Sequence, residues 1–370
     1  MKKIAVIVSY KYTPAESGGQ KYILHFLQHI SDVFDAYVFG TANNESQKES
    51  GFKSINYLLR NPCSYIDILG FLKIYSFINK EKIGTLIIEH PYIGWMGILL
   101  KYLLNIRLII HTHNVEHIRF KTIHKWWWPI LKIYERWVLS KADQVFCITD
   151  EDREYMANNL SIDPLKCNIV PFGIQQESTP GDKTYYKDII CNSHSFDNSK
   201  PLVLFNGLLD YKPNEEAVEY IVDEIIPRLN KSNFEYNLMI AGKNLSPLLT
   251  NKITSLKNVV YTGFIKNIDD YVKAADIFIN PVISGGGVKT KLIEALGMNC
   301  TCISTDSGAL GVVKDVCGEN LIIVQDKDWD GFAKAIIRAS ESEYNIPETF
   351  YKKYNWSNII KSLNIYFKEN

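Results

Sequence analysis

Neither sign of charge dominates this sequence. Lys and Arg together number 41 and so do Asp and Glu over 370 residues, so a generally basic surface coating a nucleic acid is not indicated. The seven cysteines (Cys63, Cys147, Cys167, Cys191, Cys300, Cys302 and Cys317) contain no CxxC pair, which removes the usual zinc and dithiol signatures. Their odd number and scatter suit a reducing compartment. The most apolar long stretch, Pro91–Ile110, is broken by Lys101, Asn105 and Arg107, so it reads as a helix followed by a strand rather than a membrane span. Ile4–Val8 is too short for the core of a signal peptide and reads as a strand. No GxGxxG follows that strand, which counts against a dinucleotide oxidoreductase. Together these absences leave a cytoplasmic, globular protein as the expectation.

What is present is an alternation of two periods. Short β-branched runs at Ile4–Tyr10, Ala36–Phe39, Thr85–Glu89, Arg107–His111, Gln144–Ile148 and Asn168–Val170 are separated by amphipathic stretches of helical period. The rhythm stops in the polar, turn-rich stretch from about Gln175 to Lys200, which reads as a linker with some local structure. It resumes with strands expected at Leu202–Phe205, Tyr236–Ala241, Val259–Tyr261, Ile277–Asn280, Cys300–Ser304 and Leu321–Val324. Asn214–Leu229 reads as a helix with Asn214 as its cap. An α/β protein of two doubly wound, Rossmann-like domains is expected, with ligands beyond the carboxyl ends of the strands and a cleft between the domains. The expected boundaries are 1–173 and 174–354, with the apolar helix in 355–370 returning to the first domain.

Two loops carry the candidate chemistry. Gly18 and Gly19 follow the first strand and precede a helix expected to start near Lys21, an arrangement that serves either as an anion site or as a plain turn. In INPVISGGGVKTKLIEAL, a strand runs into Ser284, Gly285, Gly286 and Gly287, then Lys289, Lys291 and a helix carrying Glu294. Exposed amides and lysines at a helix N-terminus form a cradle for a diphosphate, and lysines placed there without an anion oppose the helix dipole. A carboxylate one turn further on can accept both hydroxyls of a ribose. The bland alternative is a tight strand-to-helix connection with solvated lysines.

The run from Phe278 to Val312 resembles the donor-binding signature of glycosyltransferase family 4, a retaining GT-B family. IVPFGI (Ile169–Ile174) is similar to its hinge, and VLFNGLLDYKPNEEAV (Val203–Val218) and VVYTGFIKNIDDYVKAADIFINP (Val259–Pro281) to its C-terminal landmarks. HTHNVE (His111–Glu116) and ADQVFCITDEDREYM (Ala142–Met156) fall where the family has comparable segments. The resemblance implies donor contacts from Gly18, Gly19, Gly207, Lys212, Gly263, Gly285, Gly286, Gly287, Lys289 and Lys291, with Glu294 holding the ribose. It implies His113 beside the transferred sugar and Glu116 touching acceptor or donor, with His90 a weaker candidate. Three positions depart from the family pattern: Gly286 replaces its first glutamate, Leu208 an arginine, and Leu310 a glutamate.

The expected activity is transfer of a sugar from a nucleotide-sugar to a glycan or lipid-linked glycan, in polysaccharide or cell-envelope synthesis. No cofactor is implied, and with no DxD-like pair at the donor loop no metal is required by the motif. Nucleotide-sugar epimerisation and a binding protein that has lost catalysis are the alternatives. HKWWWPILKIYERW (His124–Trp137) clusters four tryptophans among basic residues. Its first reading is core aromatics packed on the sheet; its second is a peripheral contact with the inner face of the plasma membrane.

Overall fold

The computed structural model describes residues 1–15, 17–45 and 51–367. Contacts divide the chain into two compact units, Met1–Gly173 with Trp356–Asn370, and Ile174–Asn355. In unit 1 the strands are β1 (Lys3–Val8), β2 (Asp35–Thr41), β3 (Lys53–Leu58), β4 (Thr85–Glu89), β5 (Arg107–His111), β6 (Gln144–Cys147) and β7 (Cys167–Ile169). Every pairing is parallel and the order is β3-β2-β1-β4-β5-β6-β7. Unit 2 holds β8 (Leu202–Asn206), β9 (Asn237–Ala241), β10 (Val259–Gly263), β11 (Ile277–Asn280), β12 (Thr301–Thr305) and β13 (Leu321–Val324). These too are all parallel, in the order β10-β9-β8-β11-β12-β13. Each sheet therefore reverses its winding once, beside β1 and β4 in unit 1 and beside β8 and β11 in unit 2. Crevices at such reversals are where open parallel sheets bind ligands.

The central strands are apolar on both faces because helices cover both. Ala5, Ile7, Leu86, Ile88, Leu108 and Ile110 face one layer of helices in unit 1, and Val203, Phe205, Leu238, Ile240, Ile277 and Ile279 play the same part in unit 2. Trp356, Ile359, Ile360, Leu363 and Phe367 bury the apolar side of the C-terminal helical segment in unit 1. Gly173 lets the Trp356 ring approach, since a β-carbon there would lie 2.4 Å from it.

Several local expectations change. β3 is an additional strand; among the described residues it pairs only with β2, and exposed Lys53 and Asn56 with half-buried Ser54 hide its period. The local structure expected in the polar linker stretch is the helix Lys183–Ser193, which buries Ile190 and Cys191. The helix expected from Asn214 begins at Lys212, with Pro213 in a first turn that has no amide to lose there. Asn214 is not its cap: its side chain turns back to donate to the Leu208 carbonyl at 2.9 Å. The tryptophan segment is not core, since Trp126 is 81% exposed and Ile130, Ile133 and Trp137 also face solvent.

Candidate active site

The glycine loop of unit 2 takes its shape from two glycines in the left-handed region. Gly285 and Gly287 have φ of +81° and +74°, and a β-carbon on Gly285 would sit 2.9 Å from Pro213 Cγ. Gly286 points into open space. The helix Thr290–Gly297 starts directly after Lys289 and has no side-chain cap. Lys289 Nζ donates to the carbonyls of Gly285 and Gly287 at 2.9 and 3.0 Å, folding over its own loop. Lys291 Nζ reaches the Asn206 carbonyl at 3.0 Å and Asn214 Oδ1 at 3.1 Å, and lies 4.1 Å from the Phe205 ring centroid.

Lys291 thus ties the end of β8 to the helix after β11, across the point where the sheet reverses. Among the described residues, neither lysine has a carboxylate within ion-pair distance. Burial pulls the Lys289 ammonium down to about 8, and burial with Lys289 beside it pulls Lys291 down to about 7. Two cations thus stand near each other with no carboxylate beside them among the described residues.

The neighbouring strand ends are equally tight. Gly242 packs on Gly207, whose carbonyl oxygen would lie 1.9 Å from a β-carbon, and Gly242 N donates to the Gly263 carbonyl at 2.9 Å. Gly263 itself has φ of +68° and open space beside it. Lys212 is largely solvated, 3.8 Å from Glu216. Glu216 accepts from Ser284 Oγ at 2.7 Å and so joins the glycine loop. Glu294 is half-buried on the helix Thr290–Gly297.

In unit 1 the ends of β4 and β5 carry a buried ladder of carboxylates and imidazoles. Glu89 Oε1 lies 3.0 Å from His111 Nδ1, and Glu89 Oε2 lies 2.6 Å from His113 Nε2. Burial alone would raise the Glu89 carboxyl, but the two histidines outweigh it and hold it well below the usual carboxylate range. Tyr22 Oη donates to the Val170 carbonyl at 2.7 Å and faces His111 Nε2 at 2.8 Å. Burial lowers His113, so its neutral ring donates through Nε2 to Glu89. That tautomer leaves a lone pair on Nδ1.

Glu116 is the second buried carboxylate. It receives Tyr92 Oη at 2.5 Å, Arg119 Nη1 at 2.9 Å and His90 Nδ1 at 3.0 Å. Burial works to raise it, but His90, Arg119 and Tyr92 bring it down to about 2. Burial also lowers His90, whose Nε2 accepts from Tyr10 Oη at 2.7 Å, and the His90 ring lies tilted against that of His113 with centroids 4.1 Å apart. Glu89, His111 and His113 place three potential metal-ligand atoms within 4.8 Å of one another, and each of the three side chains takes part in the hydrogen bonds above. Gly18 and Gly19 form the first turn of the helix Gly18–Ser31 rather than a loop before it, behind a capping box of Ser17 and Gln20.

Comparison with known proteins identifies the family. The family model described as Glycosyltransferase Family 4 matches residues 17–178, and that described as Glycosyl transferases group 1 matches residues 200–342. The chain belongs to the group 1/family 4 glycosyltransferases. A UDP-Gal:α-D-GlcNAc-diphosphoundecaprenol α-1,3-galactosyltransferase of Escherichia coli is 22% identical over 309 residues, 77% of this chain and 74% of that one. Anabaena HepE in complex with UDP superposes with a TM-score of 0.76 at 12% identity over 99% of each chain. Sucrose-phosphate synthase from Thermosynechococcus elongatus gives 0.75 at 15% identity over 99% of this chain and 98% of that one. These two structural likenesses establish the GT-B fold.

In this glycosyltransferase the structure gathers Gly207, Gly285, Gly286, Gly287, Lys289, Lys291 and Glu294 at one edge of the unit 2 sheet, with Gly263 on a neighbouring strand end. His113 and Glu116 sit together at the edge of unit 1, joined through His90. Sequence reasoning missed Glu89, Tyr92, Arg119, Glu216 and Gly242. Glu89 left a signal: a carboxylate in the otherwise apolar run TLIIE of a buried strand needs a partner. Arg119 left one too, standing one helical turn from Glu116, whereas Tyr92, Glu216 and Gly242 left none, because their neighbours are distant in sequence.

Proposed function

We propose that this glycosyltransferase moves a sugar from a UDP-sugar to a glycan or lipid-linked glycan acceptor in cell-envelope polysaccharide synthesis, with retained anomeric configuration and without a bound metal. The observation that carries the proposal is the lysine pair on the glycine loop, Lys289 and Lys291, two depressed cations lacking a carboxylate partner among the described residues. A nucleoside diphosphate supplies the missing charge. The uridine and the lipid-borne acceptor follow the E. coli relative, whose name specifies both, and the UDP bound by the Anabaena neighbour.

In the reaction the anomeric C–O bond to the diphosphate breaks and its electron pair leaves with the phosphate. The lysines and loop amides stabilise that charge as it grows. The acceptor oxygen forms the new C–O bond, and its proton passes to the departing phosphate. Glu294 is assigned to the ribose hydroxyls and the amides of Gly18 and Gly19 to the donor. His113 Nδ1 is assigned as acceptor for a hydroxyl of the transferred sugar, and Glu116 to the acceptor or donor. Contact with the inner face of a membrane is part of this reading.

Calorimetry against UDP, GDP, ADP and CMP, repeated with Glu294→Ala and Lys291→Met, tests it. UDP alone is expected to bind tightly, with affinity lost in both variants. Binding of another nucleotide, or none, overturns the donor assignment. Tight UDP-sugar binding with neither transfer nor hydrolysis leaves a binding protein.

A further inference from the structure

His90 stands just past the end of β4, in a backbone conformation that histidine does not ordinarily adopt. Its φ is 65° and its ψ 149°. The helix caps Lys82, Asn105 and Ser161 also have positive φ, but with ψ of 48°, 48° and 39° they lie in the left-handed helical region. His90 lies outside it, where glycine alone is comfortable. The next residue is Pro91, and a residue before proline is normally held near a φ of about −120°. Two steric rules are therefore broken at one buried position.

The contacts of the ring show what the strained backbone achieves. Successive side chains of a strand point to opposite faces, so a regular β4 continued through His90 would carry its ring away from the Glu89 carboxylate. Instead both reach the same residue. Glu89 Oε2 lies 2.6 Å from His113 Nε2, and the His90 ring centroid lies 4.1 Å from that of His113. The backbone stays on the sheet meanwhile, since His90 N donates to the His111 carbonyl at 2.8 Å. The ring is held by Glu116 at Nδ1, by Tyr10 Oη at Nε2, and by the Tyr92 ring, stacked on it at 5.4 Å and 8°. Strain of this kind persists only where the surroundings over-determine it, and it collects at functional sites.

A hydrogen bond through one nitrogen fixes the tautomer of an imidazole but leaves the ring able to turn about that bond. The plane of His113 is set by its ring neighbours, His90 tilted at 39° and Tyr22 edge-on at 79° and 4.8 Å. We propose that the strained backbone of His90 is a positioning device for sugar transfer. It brings the His90 ring to the Glu89 side of the strand end, where the ring fixes the plane of His113 and so the direction of its Nδ1 lone pair. His90 is a positioning residue, with its two nitrogens already taken by Glu116 and Tyr10. The inference rests on the assignment of His113 to the transferred sugar made above, and goes beyond it in naming what aims that ring.

Urea unfolding of His90→Gly and His90→Ala tests the strain. Both changes delete the ring, so the two variants differ only in what the backbone tolerates. At an ordinary strand position glycine is the less stable of the pair. Here the glycine variant is expected to unfold at the higher urea concentration, and the reverse order overturns the proposal. Release of UDP from UDP-galactose, UDP-glucose and UDP-N-acetylglucosamine, with a crystal structure of His90→Gly, tests the positioning. In that variant kcat is expected to fall by up to about 100-fold with the donor KM little changed, and added imidazole should restore part of it. The structure should show His113 turned about its bond to Glu89. An unchanged kcat, or a His113 ring in its original plane, overturns the proposal. Should neither variant fold, Tyr10→Phe removes only the Nε2 anchor; kcat is then expected to fall several-fold at unchanged KM, and no fall overturns the proposal. If wild type releases UDP from none of the three sugars, the UDP-sugar reading falls, while the stability order and the His113 ring plane still decide the positioning.

Discussion

Glu89 Oε2 and His113 Nε2 stand 2.6 Å apart, both buried, so one carboxylate fixes which nitrogen of His113 carries the proton. The same carboxylate engages His111 through its other oxygen at 3.0 Å, so the ring orientation is held from two sides. Glu89→Gln keeps the shape but offers an amide to one of the two imidazoles. By analogy with carboxylates that orient histidine ligands, kcat is expected to fall on the order of 10–100-fold. The donor KM should change little, because Glu89 touches the ring and not the diphosphate cradle. The lost charge-assisted bond is expected to cost about 1–3 kcal/mol in urea unfolding. A 15N spectrum of His113 separates positioning from mere destabilisation, since the Nε2–H tautomer should be lost when the substituted amide turns its N–H to that ring; an unchanged tautomer with unchanged kcat would remove Glu89 from the mechanism.

A pH dependence follows from the lysine pair. Lys291 sits at about 7 and Lys289 at about 8 without a ligand, and a bound diphosphate favours the charged form of both. Below about pH 7 both ammonium groups are charged and binding releases or takes up no proton at them. Above pH 8 the free protein has lost those protons and must regain them on binding. UDP affinity is therefore expected to weaken as pH rises from 7 to 9, by up to about tenfold per unit for each group above its pKa. Calorimetry in two buffers of different ionisation enthalpy should report proton uptake at pH 8 and none at pH 6. In Lys291→Met the profile should flatten on its lower side.

The two parallel sheets and the glycine–lysine loop were legible because their signals are local. β4 and β5 are short runs of Leu and Ile, and the loop is nine consecutive residues from Pro281 to Lys289 between a strand and a helix. Strand β3 was not legible, since an edge strand with one neighbour keeps its solvent side polar. The carboxylate–histidine ladder was half legible. His113 was picked out through the family resemblance, but its partner Glu89 is 24 residues away and its link to Glu116 runs through His90. Spacing in the chain carries no trace of such pairings; they arise because β4 and β5 are neighbours in register, with Glu89 opposite His111. The Trp126 segment was misjudged for a related reason: a helix apolar on both sides has no single stripe by which to choose an interior.

The histidine ladder also sets an expectation about metals. A metal placed among Glu89, His111 and His113 would have to displace the hydrogen bonds that already join them. In the proposed reaction the diphosphate is met by the lysines and amides of the glycine loop. Turnover with a UDP-sugar is therefore expected to survive dialysis against EDTA. Loss of activity that zinc or manganese restores would reassign the ladder as a metal site and reverse the proposed role of His113.

The glycine loop allows opposite outcomes at adjacent positions. Gly285→Ala places a β-carbon at φ +81° and 2.9 Å from Pro213 Cγ, so the loop must move. A strained left-handed alanine costs about 1–2 kcal/mol, and the shifted carbonyl releases Lys289. UDP affinity should drop at least about tenfold. Gly286→Ala, by contrast, meets no atom within 4 Å and should leave stability and UDP binding as they are. That openness makes Gly286→Glu an informative change, because it restores the carboxylate that the family pattern places there. If the missing glutamate limits recognition of the sugar, the variant should bind its UDP-sugar more tightly while binding UDP alone unchanged. Equal affinity for the UDP-sugar in both proteins would show instead that the loop amides already perform that contact.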